Sequence, residues 1–307
     1  MVVVFGTVCI DRILRVTELP SPGGYVDIDE ELLMLGGEAA NTALALQSWG
    51  IDVELYPNAV GTDPEADLLV DLIRARGLPM RFLRRGNAPT PVCDVYVTPD
   101  GDRTMFGRGF KDMDDATELD ALPLYAGEWF TAEPNMSVLS RQAVHLAANA
   151  GMKIYTMDFV RAGDPVPQGS FWQSSTDWAG RREDSAANLE WVRAHAQRHG
   201  CCAILTDGPR GFVVGRPGEH PHLVPAFPCP GLVDSTGAGD AFRAGMLFGL
   251  HTRDSLCECL RIAAAAGSLR CRSLGASAGV PTLDEIAGLI AAHPNVAEAC
   301  AEAERPY

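Results

Sequence analysis

The chain has 307 residues, 47% of them hydrophobic, and a formal net charge of −15. This length is sufficient to bury a large core, in one α/β domain or in a domain with a small appendage. The acidic balance repels phosphate backbones and anionic lipids, so we expect neither nucleic acid nor a membrane surface as a partner. The nine cysteines contain no CxxC pair, which favours reduced thiols in a cytoplasmic protein.

The predicted elements of the first half alternate between strands and helices. Residues 2–5 are apolar without alternation, which is typical of a strand covered on both faces. Residues 25–31 alternate in hydropathy, as expected of a strand with one exposed face. Further along the chain we predict a helix over 39–49, a strand over 53–59 and a helix over 64–75.

A predicted β-hairpin interrupts this alternation. The runs VCDVYV (92–97) and RTMF (103–106) flank a Pro-Asp-Gly-Asp turn, and such a turn between apolar runs indicates a hairpin. We predict that this hairpin forms a small sheet apart from the main one, a discontinuous β lid made of residues 12–35 and 88–110. The main domain then consists of residues 1–11, 36–87 and 111–307.

The α/β alternation resumes after the hairpin. Such repetition predicts a mostly parallel central sheet with helices on both faces, a three-layer α/β/α architecture. The predicted strands are 152–157 and 203–205, and the predicted helices are 137–150, 186–199, 242–250, 256–269 and 283–292.

The segment DSTGAGD at residues 234–240 carries the strongest chemical signal. Small residues before a helix let the backbone approach a ligand, and amides at a helix start attract an anion such as a phosphoryl group. The carboxylate of Asp240 stands next to this anion site, where it can accept a proton from an attacking hydroxyl. The alternative is a glycine-rich turn with an acidic residue that complements the helix dipole.

The segment GGEAAN at residues 36–41 is the second signal. Gly36 and Gly37 open a helix, and the amide of Asn41 can both donate and accept hydrogen bonds, as a polyol substrate requires. A glycine turn with Asn41 capped or solvated is the alternative interpretation.

With both motifs in this order, the chain resembles the ribokinase-like (PfkB) family of carbohydrate and nucleoside kinases from about residue 2 to about residue 290. The resemblance implies the ribokinase-like fold with a small β-sheet lid, and ATP and Mg²⁺ as cofactors. It implies that Asp240 is the catalytic base and that the amides of Gly237, Ala238 and Gly239 form an anion hole for the γ-phosphate. Gly36, Gly37 and Asn41 would bind the substrate.

Other family positions also map onto the sequence. The resemblance implies that Asp11 binds substrate hydroxyls, that Thr206 and Gly208 contact ATP, and that Gly275 closes the nucleotide pocket. It further implies a monovalent cation, K⁺, beside Asp234 and the Gly275 loop. The ribose-using branch of the family has Asn where this chain has Cys9, which weakens a ribose assignment and leaves a nucleoside kinase open.

The family's Asn-x-x-Glu motif, which organises Mg²⁺, is altered here. The best candidate is SSTD at residues 174–177, where Asp177 keeps a carboxylate for a water-mediated metal role. This alteration supports a second alternative of another class, a catalytically silent ligand-binding or regulatory protein.

Three further expectations concern exclusions and partners. GASAG at 275–279 fits the hydrolase pattern GxSxG but follows a helical run instead of a strand, and no P-loop sequence is present. Arg103 and Arg108 lie on or just after the hairpin, where they could meet an anionic group of the substrate. The edges of a lid sheet can pair, so we expect a homodimer through the lid that acts on a small sugar or sugar-like molecule.

Overall fold

The computed structural model describes residues 1–113, 117–181, 184–253 and 255–303. In chain order the strands are β1 (Val2–Gly6), β2 (Cys9–Val16), β3 (Ile28–Gly36), β4 (Val53–Pro57), β5 (Val92–Val97), β6 (Arg103–Arg108), β7 (Trp129–Ala132), β8 (Lys153–Met157), β9 (Phe171–Ser175), β10 (Cys202–Thr206), β11 (Phe212–Gly215) and β12 (His222–Val224). The helices are α1 (Glu38–Ser48), α2 (Pro64–Ala75), α3 (Ser137–Asn149), α4 (Ser185–His199), α5 (Ala238–Thr252), α6 (Leu256–Arg270), α7 (Leu283–Ala292) and α8 (Pro294–Glu302).

The central sheet has eight strands in the order β12-β11-β10-β9-β8-β7-β1-β4. The six strands from β10 to β4 are parallel, and β11 and β12 continue the sheet antiparallel at one edge. Parallel strands need crossover connections, which place helices on the faces of the sheet. The predicted three-layer α/β/α fold with a mostly parallel central sheet is therefore confirmed.

The position of strand β1 between two packed faces explains why its sequence does not alternate between apolar and polar residues. Val2 and Val4 belong to the core cluster packed around α1, α5 and α6, whereas Val3 and Phe5 belong to a second cluster with residues of α3 and α4. All four side chains are fully buried. A strand covered on both faces needs apolar side chains at every position.

The second sheet has four strands in the order β3-β2-β5-β6. β2 pairs antiparallel with β3 and parallel with β5, and β5 and β6 form the predicted hairpin. Its small core contains Ile13, Val95 and Val97, with Met34 and Leu274 against them. The strands extend beyond the predicted lid segments, since β2 begins at Cys9 and β3 ends at Gly36. The division into a main domain and a moving lid stays a prediction.

Several elements differ from the sequence-based prediction. The prediction of a strand over 25–31 had the wrong bounds, because β3 runs from Ile28 to Gly36. Tyr25 precedes this strand and is 83% exposed. The strands β2, β7, β9, β11 and β12 were missed, since most are short and lack clear punctuation. Helix α5 begins four residues earlier than predicted, at Ala238. No helix among the described residues is long and apolar enough to span a bilayer, and all nine cysteines are thiols.

Candidate active site

Several strands end in polar residues at one edge of the central sheet. Because β1, β7, β8 and β10 are parallel, their carboxyl ends lie at the same edge. The residues that follow them are Thr7, Glu133, Asp158 and Asp207. Asp158 is partly buried and the other three are buried. Ligands of open α/β sheets bind outside this edge, so we place the candidate site there.

The predicted anion-binding turn forms the start of α5. Gly237 is the N-cap and has a φ of 80°, a left-handed conformation that favours glycine. The Ala238 amide donates to the Ser235 carbonyl at 3.2 Å. Among the described residues, no acceptor is found for the amides of Gly237 and Gly239. Two of the three predicted amides are thus available at the positive end of a helix.

Asp240 lies in the first turn of α5 and is 6% exposed. Its Oδ2 accepts a hydrogen bond of 2.8 Å from Nδ2 of Asn41. Its Oδ1 lies 3.6 Å from Nη2 of Arg243 and accepts no hydrogen bond from the described residues. Burial raises the pKa of Asp240 to about 6, while Arg243 and Asn41 act to lower it. The carboxylate is therefore ionised at neutral pH and has one oxygen available.

The glycine pair places Asp11 beside the start of α1. A Cβ on Gly36 would overlap the Asp11 carboxyl group, and a Cβ on Gly37, the N-cap of α1 with a φ of 97°, would overlap the Thr7 carbonyl. Cys9 Sγ donates to Asp11 Oδ1 at 3.3 Å. Burial and, to a smaller extent, the Asp240 charge raise the pKa of Asp11 to about 7. Asp11 and Asp240 therefore lie within electrostatic reach of each other.

Arg243 is a charged residue of this site to which the sequence analysis gave no role. It is fully buried, and its Nε donates to Thr42 Oγ1 at 2.8 Å. Its charge lowers the pKa values of Glu38, Glu133 and Asp158, each of which burial raises. One guanidinium thus balances several buried carboxylates. An arginine within the apolar run AFRAGMLFGL was the available signal.

Thr206 and Gly208 lie at the other end of the site, after β10. Thr206 Oγ1 donates to the Ser174 carbonyl at 3.3 Å, and Gly208 has a φ of 52°. Between them, Asp207 accepts two hydrogen bonds from Arg210, at 2.7 and 2.6 Å. This ion pair connects the two ends of the loop, and the backbone at Gly208 between them is exposed.

The two end residues of the altered metal motif, Ser174 and Asp177, differ in burial. Ser174 is 1% exposed and donates to Asp158 Oδ1 at 2.6 Å, whereas Asp177 is exposed. Among the described residues, no group of three or more His, Cys, Asp or Glu side chains is arranged to hold a metal ion. Mg²⁺ usually keeps several waters and takes few protein ligands besides substrate phosphates, so one carboxylate at Asp177 is compatible with it.

The predicted monovalent-cation site does not fit such an ion. Both oxygens of the fully buried Asp234 are used, since Oδ1 accepts from the Thr236 amide at 2.8 Å and Oδ2 from the Gly275 amide at 2.7 Å. The carbonyl groups of Ser273, Gly275 and Ala276 accept hydrogen bonds from the Arg270 guanidinium. The Arg270 guanidinium would repel a monovalent cation bound to the same carbonyl groups.

The hairpin of the small sheet contacts the anion-binding turn. Arg103 Nη1 donates to Ser235 Oγ at 2.8 Å, and the Ser235 amide donates to the Gly101 carbonyl at 3.2 Å. Arg103 also lowers the pKa of Asp240 through its charge. Arg108 differs, because it is exposed and pairs with Glu65 at 3.1 Å. Of the two candidate arginines, the structure brings only Arg103 to the site.

Comparisons with known proteins identify the family. The family model described as pfkB family carbohydrate kinase matches residues 1–124 and 175–283. The chain belongs to the pfkB family of carbohydrate kinases. Its relatives include an uncharacterized sugar kinase of Dictyostelium discoideum, 27% identical over 92% of this chain and 95% of the relative. Another is the acarbose 7(IV)-phosphotransferase of an Actinoplanes species, 29% identical over 91% and 94%.

Solved structures have the same fold as this pfkB-family chain. The ribokinase of Giardia lamblia has a TM-score of 0.77 at 17% identity and covers 94% of this chain and 98% of its own. The ribokinase of Arabidopsis thaliana, solved with ribose and ATP, has a TM-score of 0.73 at 20% identity, with the same coverage. Family membership makes the chain a phosphotransferase that acts on an alcohol group, and the suspected ribokinase-like relationship is confirmed.

Proposed function

We propose that this pfkB-family chain transfers the γ-phosphoryl group of ATP to a hydroxyl group of a sugar or sugar-like molecule, with Asp240 as the general base. The observation that carries the proposal is the buried Oδ1 of Asp240, which accepts no hydrogen bond from the described residues and lies at a helix N-terminus. A buried carboxylate oxygen without a donor is unfavourable, and an acceptor hydroxyl would supply that donor.

The chemistry follows from this arrangement. The hydroxyl proton moves to Oδ1 of Asp240 as the hydroxyl oxygen bonds to the γ-phosphorus atom, and the bond from phosphorus to the β–γ bridging oxygen breaks to release ADP. A pKa of about 6 keeps Asp240 ionised at neutral pH without making it too weak a base. Amides of Gly237 and Gly239 would stabilise the charge on the transferring group, with Ala238 between them.

Unpaired oxygens around Asp240 support a polyol acceptor. Oδ1 of Asn41 and Oε2 of Glu38 are buried and accept no hydrogen bond from the described residues. Together with the Asp11 carboxylate they offer acceptors to several substrate hydroxyls. Gly36 and Gly37 let the Asp11 carboxylate and the Thr7 carbonyl lie against the start of α1, beside the proposed acceptor. A molecule with several neighbouring hydroxyl groups satisfies this set better than one with a single alcohol.

The nucleotide would lie along the turn after β10 and the start of α5. Thr206, Gly208, Gly237, Gly239 and the Gly275 loop are the proposed ATP contacts. Mg²⁺ would bind mainly through the phosphates and water, with Asp177 reaching it through a water molecule, and it would neutralise phosphate charge. The proposal includes a cytoplasmic location, where ATP is available and the nine thiols stay reduced.

A homodimer through the lid is part of the proposal. On one face of the small sheet, the register places Leu33, Arg12, Asp94 and Phe106 in a row across the four strands. Leu33 and Phe106 are 49% and 61% exposed, on either side of the Arg12–Asp94 ion pair. Exposed apolar groups around a paired charge suit a self-complementary interface. Light scattering should give a dimer mass that Phe106→Glu reduces to that of a monomer.

A nucleoside kinase is the second candidate. Met105 is 52% exposed and shares a face of the small sheet with Arg103, as the pairing of Val95 with Met105 and of Val97 with Arg103 requires. This exposed apolar side chain could cover a nucleobase. Two relatives, from Thermoplasma acidophilum and Methanocaldococcus jannaschii, are named nucleoside kinase. A catalytically silent protein is not favoured, because Asp240 has a buried oxygen that accepts no hydrogen bond from the described residues and lies beside the start of α5.

The test is ADP formation from ATP and Mg²⁺ across a panel of sugars, sugar derivatives and nucleosides. We expect an acceptor-dependent rate with at least one sugar-like compound, and a loss of about 10²–10⁴-fold in kcat for Asp240→Asn. Asp71→Asn, on the exposed face of α2, is the matched control and should keep full activity. Turnover of nucleosides alone would favour the second candidate. A rate for Asp240→Asn within threefold of wild type would reject Asp240 as the base.

A further inference from the structure

Arg270 is a buried cation whose guanidinium contacts three carbonyl groups of one loop. It is the last residue of α6 and is 2% exposed. Nε donates to the Ala276 carbonyl at 2.8 Å, Nη1 donates to the Ser273 carbonyl at 3.0 Å, and Nη2 donates to the Gly275 carbonyl. Burial lowers the pKa of Arg270 and the nearby Asp234 charge raises it, and an arginine stays charged at neutral pH.

This loop directly supports the anion-binding turn. The Gly275 amide donates to Asp234, whose other oxygen accepts from the Thr236 amide and hydroxyl at 2.8 and 2.6 Å. A Cβ on Gly237 would come within 2.8 Å of the Ala276 Cβ. The position of the turn at the start of α5 therefore depends on the loop that Arg270 holds, through one chain of hydrogen bonds and one close backbone contact.

The loop also contacts the small sheet. Leu274 packs against the core of that sheet, and a Cβ on Gly275 would overlap the Met34 side chain of β3. The conformation of residues 273–276 is thus coupled both to the proposed phosphate site and to the proposed lid. A cation that fixes this loop would affect nucleotide binding even though it contacts no nucleotide.

We propose that Arg270 is a built-in cation that organises the anion-binding turn, so that this kinase requires no monovalent metal ion. The inference rests on the proposed function, because it assigns a positioning role within the same phosphoryl-transfer site. Three carbonyl groups and one buried carboxylate are the surroundings that suit a dehydrated K⁺ ion, and here a guanidinium supplies the positive charge among them. A bound K⁺ would add a second positive charge at close range, and repulsion between like charges is strong in a buried site where water does not screen it.

The first measurement uses the wild-type protein. Nucleotide affinity, the melting temperature and, with an active acceptor, kcat should agree within about twofold, or within about 1 °C, in chlorides of K⁺, Na⁺ and tetramethylammonium at one ionic strength. A saturable activation or stabilisation of the wild type by K⁺, absent with tetramethylammonium, would overturn the proposal. The melting temperature requires neither nucleotide nor acceptor, so it remains decisive if no acceptor is turned over.

The second measurement uses Arg270→Met, which keeps much of the volume and removes the charge. We expect nucleotide affinity to fall by about 10-fold or more, since hydrogen bonds from a charged donor are lost, and K⁺ to restore part of the affinity and of the melting temperature more effectively than tetramethylammonium. Arg272→Met is the matched control, because Arg272 is 39% exposed and pairs with Glu285. It should show no cation dependence.

A third variant covers the case in which Arg270→Met does not fold. Arg270→Lys keeps a positive charge, but an ammonium group cannot span the three carbonyls as the planar guanidinium does. It should weaken nucleotide binding and remain independent of K⁺. Unchanged nucleotide affinity in Arg270→Lys and Arg270→Met would show that the loop does not position the turn. Failure of every protein to bind ATP would instead count against the proposed function, while the cation dependence of melting would still decide the role of Arg270.

Discussion

Asn41 and Asp240 are 199 residues apart in the chain, and a hydrogen bond of 2.8 Å joins Nδ2 of the first to Oδ2 of the second. The bond connects the start of α1 to the start of α5, the two helices that carry the glycine motifs. It occupies one oxygen of the carboxylate and leaves Oδ1 for a ligand. Asn41 therefore both orients Asp240 and favours its ionised form.

The pH dependence of turnover should report this bond. Because the ionised form of Asp240 is the active base and its pKa is about 6, kcat/KM for the acceptor should be half-maximal near pH 6 and level off above about pH 7. Asn41→Leu removes the donor that lowers this pKa, so the rising limb should move to higher pH. Gln47→Leu is the matched control on the same helix, where the exposed Gln47 side chain donates to the Gly77 carbonyl. An unchanged profile in Asn41→Leu would separate Asp240 from the pH dependence.

Arg243→Met should destabilise the protein more at high pH than at low pH. Its guanidinium lowers the raised pKa values of Glu38, Glu133, Asp158 and Asp240. Without it, these folded-state pKa values move further above their unfolded values, so stability is lost as the pH rises. Breaking a buried ion pair costs about 3–5 kcal/mol. Denaturant unfolding at pH 5 and pH 8 is the measurement, and an equal loss at both would contradict this account.

Asp11→Asn should raise the melting temperature at high pH and weaken acceptor binding. The pKa of Asp11 rises from 3.8 to about 7 on burial, so its stabilising contribution is present below pH 4 and is lost as the pH increases to about 7. At pH 8 the neutral variant should melt at a temperature several degrees above the wild type, with little difference near pH 4. Its KM for the acceptor should rise while ATP affinity measured by calorimetry stays unchanged. Weakened ATP binding would place Asp11 in the wrong pocket.

The glycine beside Asp11 offers an independent check. A methyl group at Gly36 would overlap the Asp11 carboxyl group, whereas one at Gly288 would meet open space. Gly36→Ala should therefore raise the acceptor KM as Asp11→Asn does, and Gly288→Ala should not. Equal KM values for the two alanine variants would remove the steric argument for the glycine pair.

Arg103→Met should lower kcat, and Arg108→Met should leave it near the wild-type value. Arg103 donates a hydrogen bond to Ser235 in the anion-binding turn, and its charge lowers the pKa of Asp240. Arg108 is exposed and pairs with Glu65. Loss of a cation beside a transferring phosphoryl group should cost about 10-fold or more. Steady-state kinetics with ATP saturating provides the comparison. Equal effects of the two substitutions would show that neither arginine has a specific role in the site.

The sequence by itself determined the fold class and most of the candidate site. Strands and helices are recognised from the spacing of apolar residues, which depends only on neighbouring residues in the chain. Their alternation predicts a parallel α/β sheet. The two glycine motifs likewise indicate Asp240 and Asn41, because small residues before a helix let the backbone approach a ligand. The hairpin over 92–106 was also predicted correctly from its turn.

Only the tertiary structure decided which charges meet. Arg243 and Arg270 each lie in an apolar helix, which indicates burial but not the partners. The sequence does not show that Arg243 lies among buried carboxylates or that Arg270 donates to three carbonyl groups of one loop. Glu133 follows the short strand β7, which the sequence pattern did not reveal. Electrostatic and hydrogen-bonding partners depend on distances in space, and parallel topology brings together residues that are far apart in sequence.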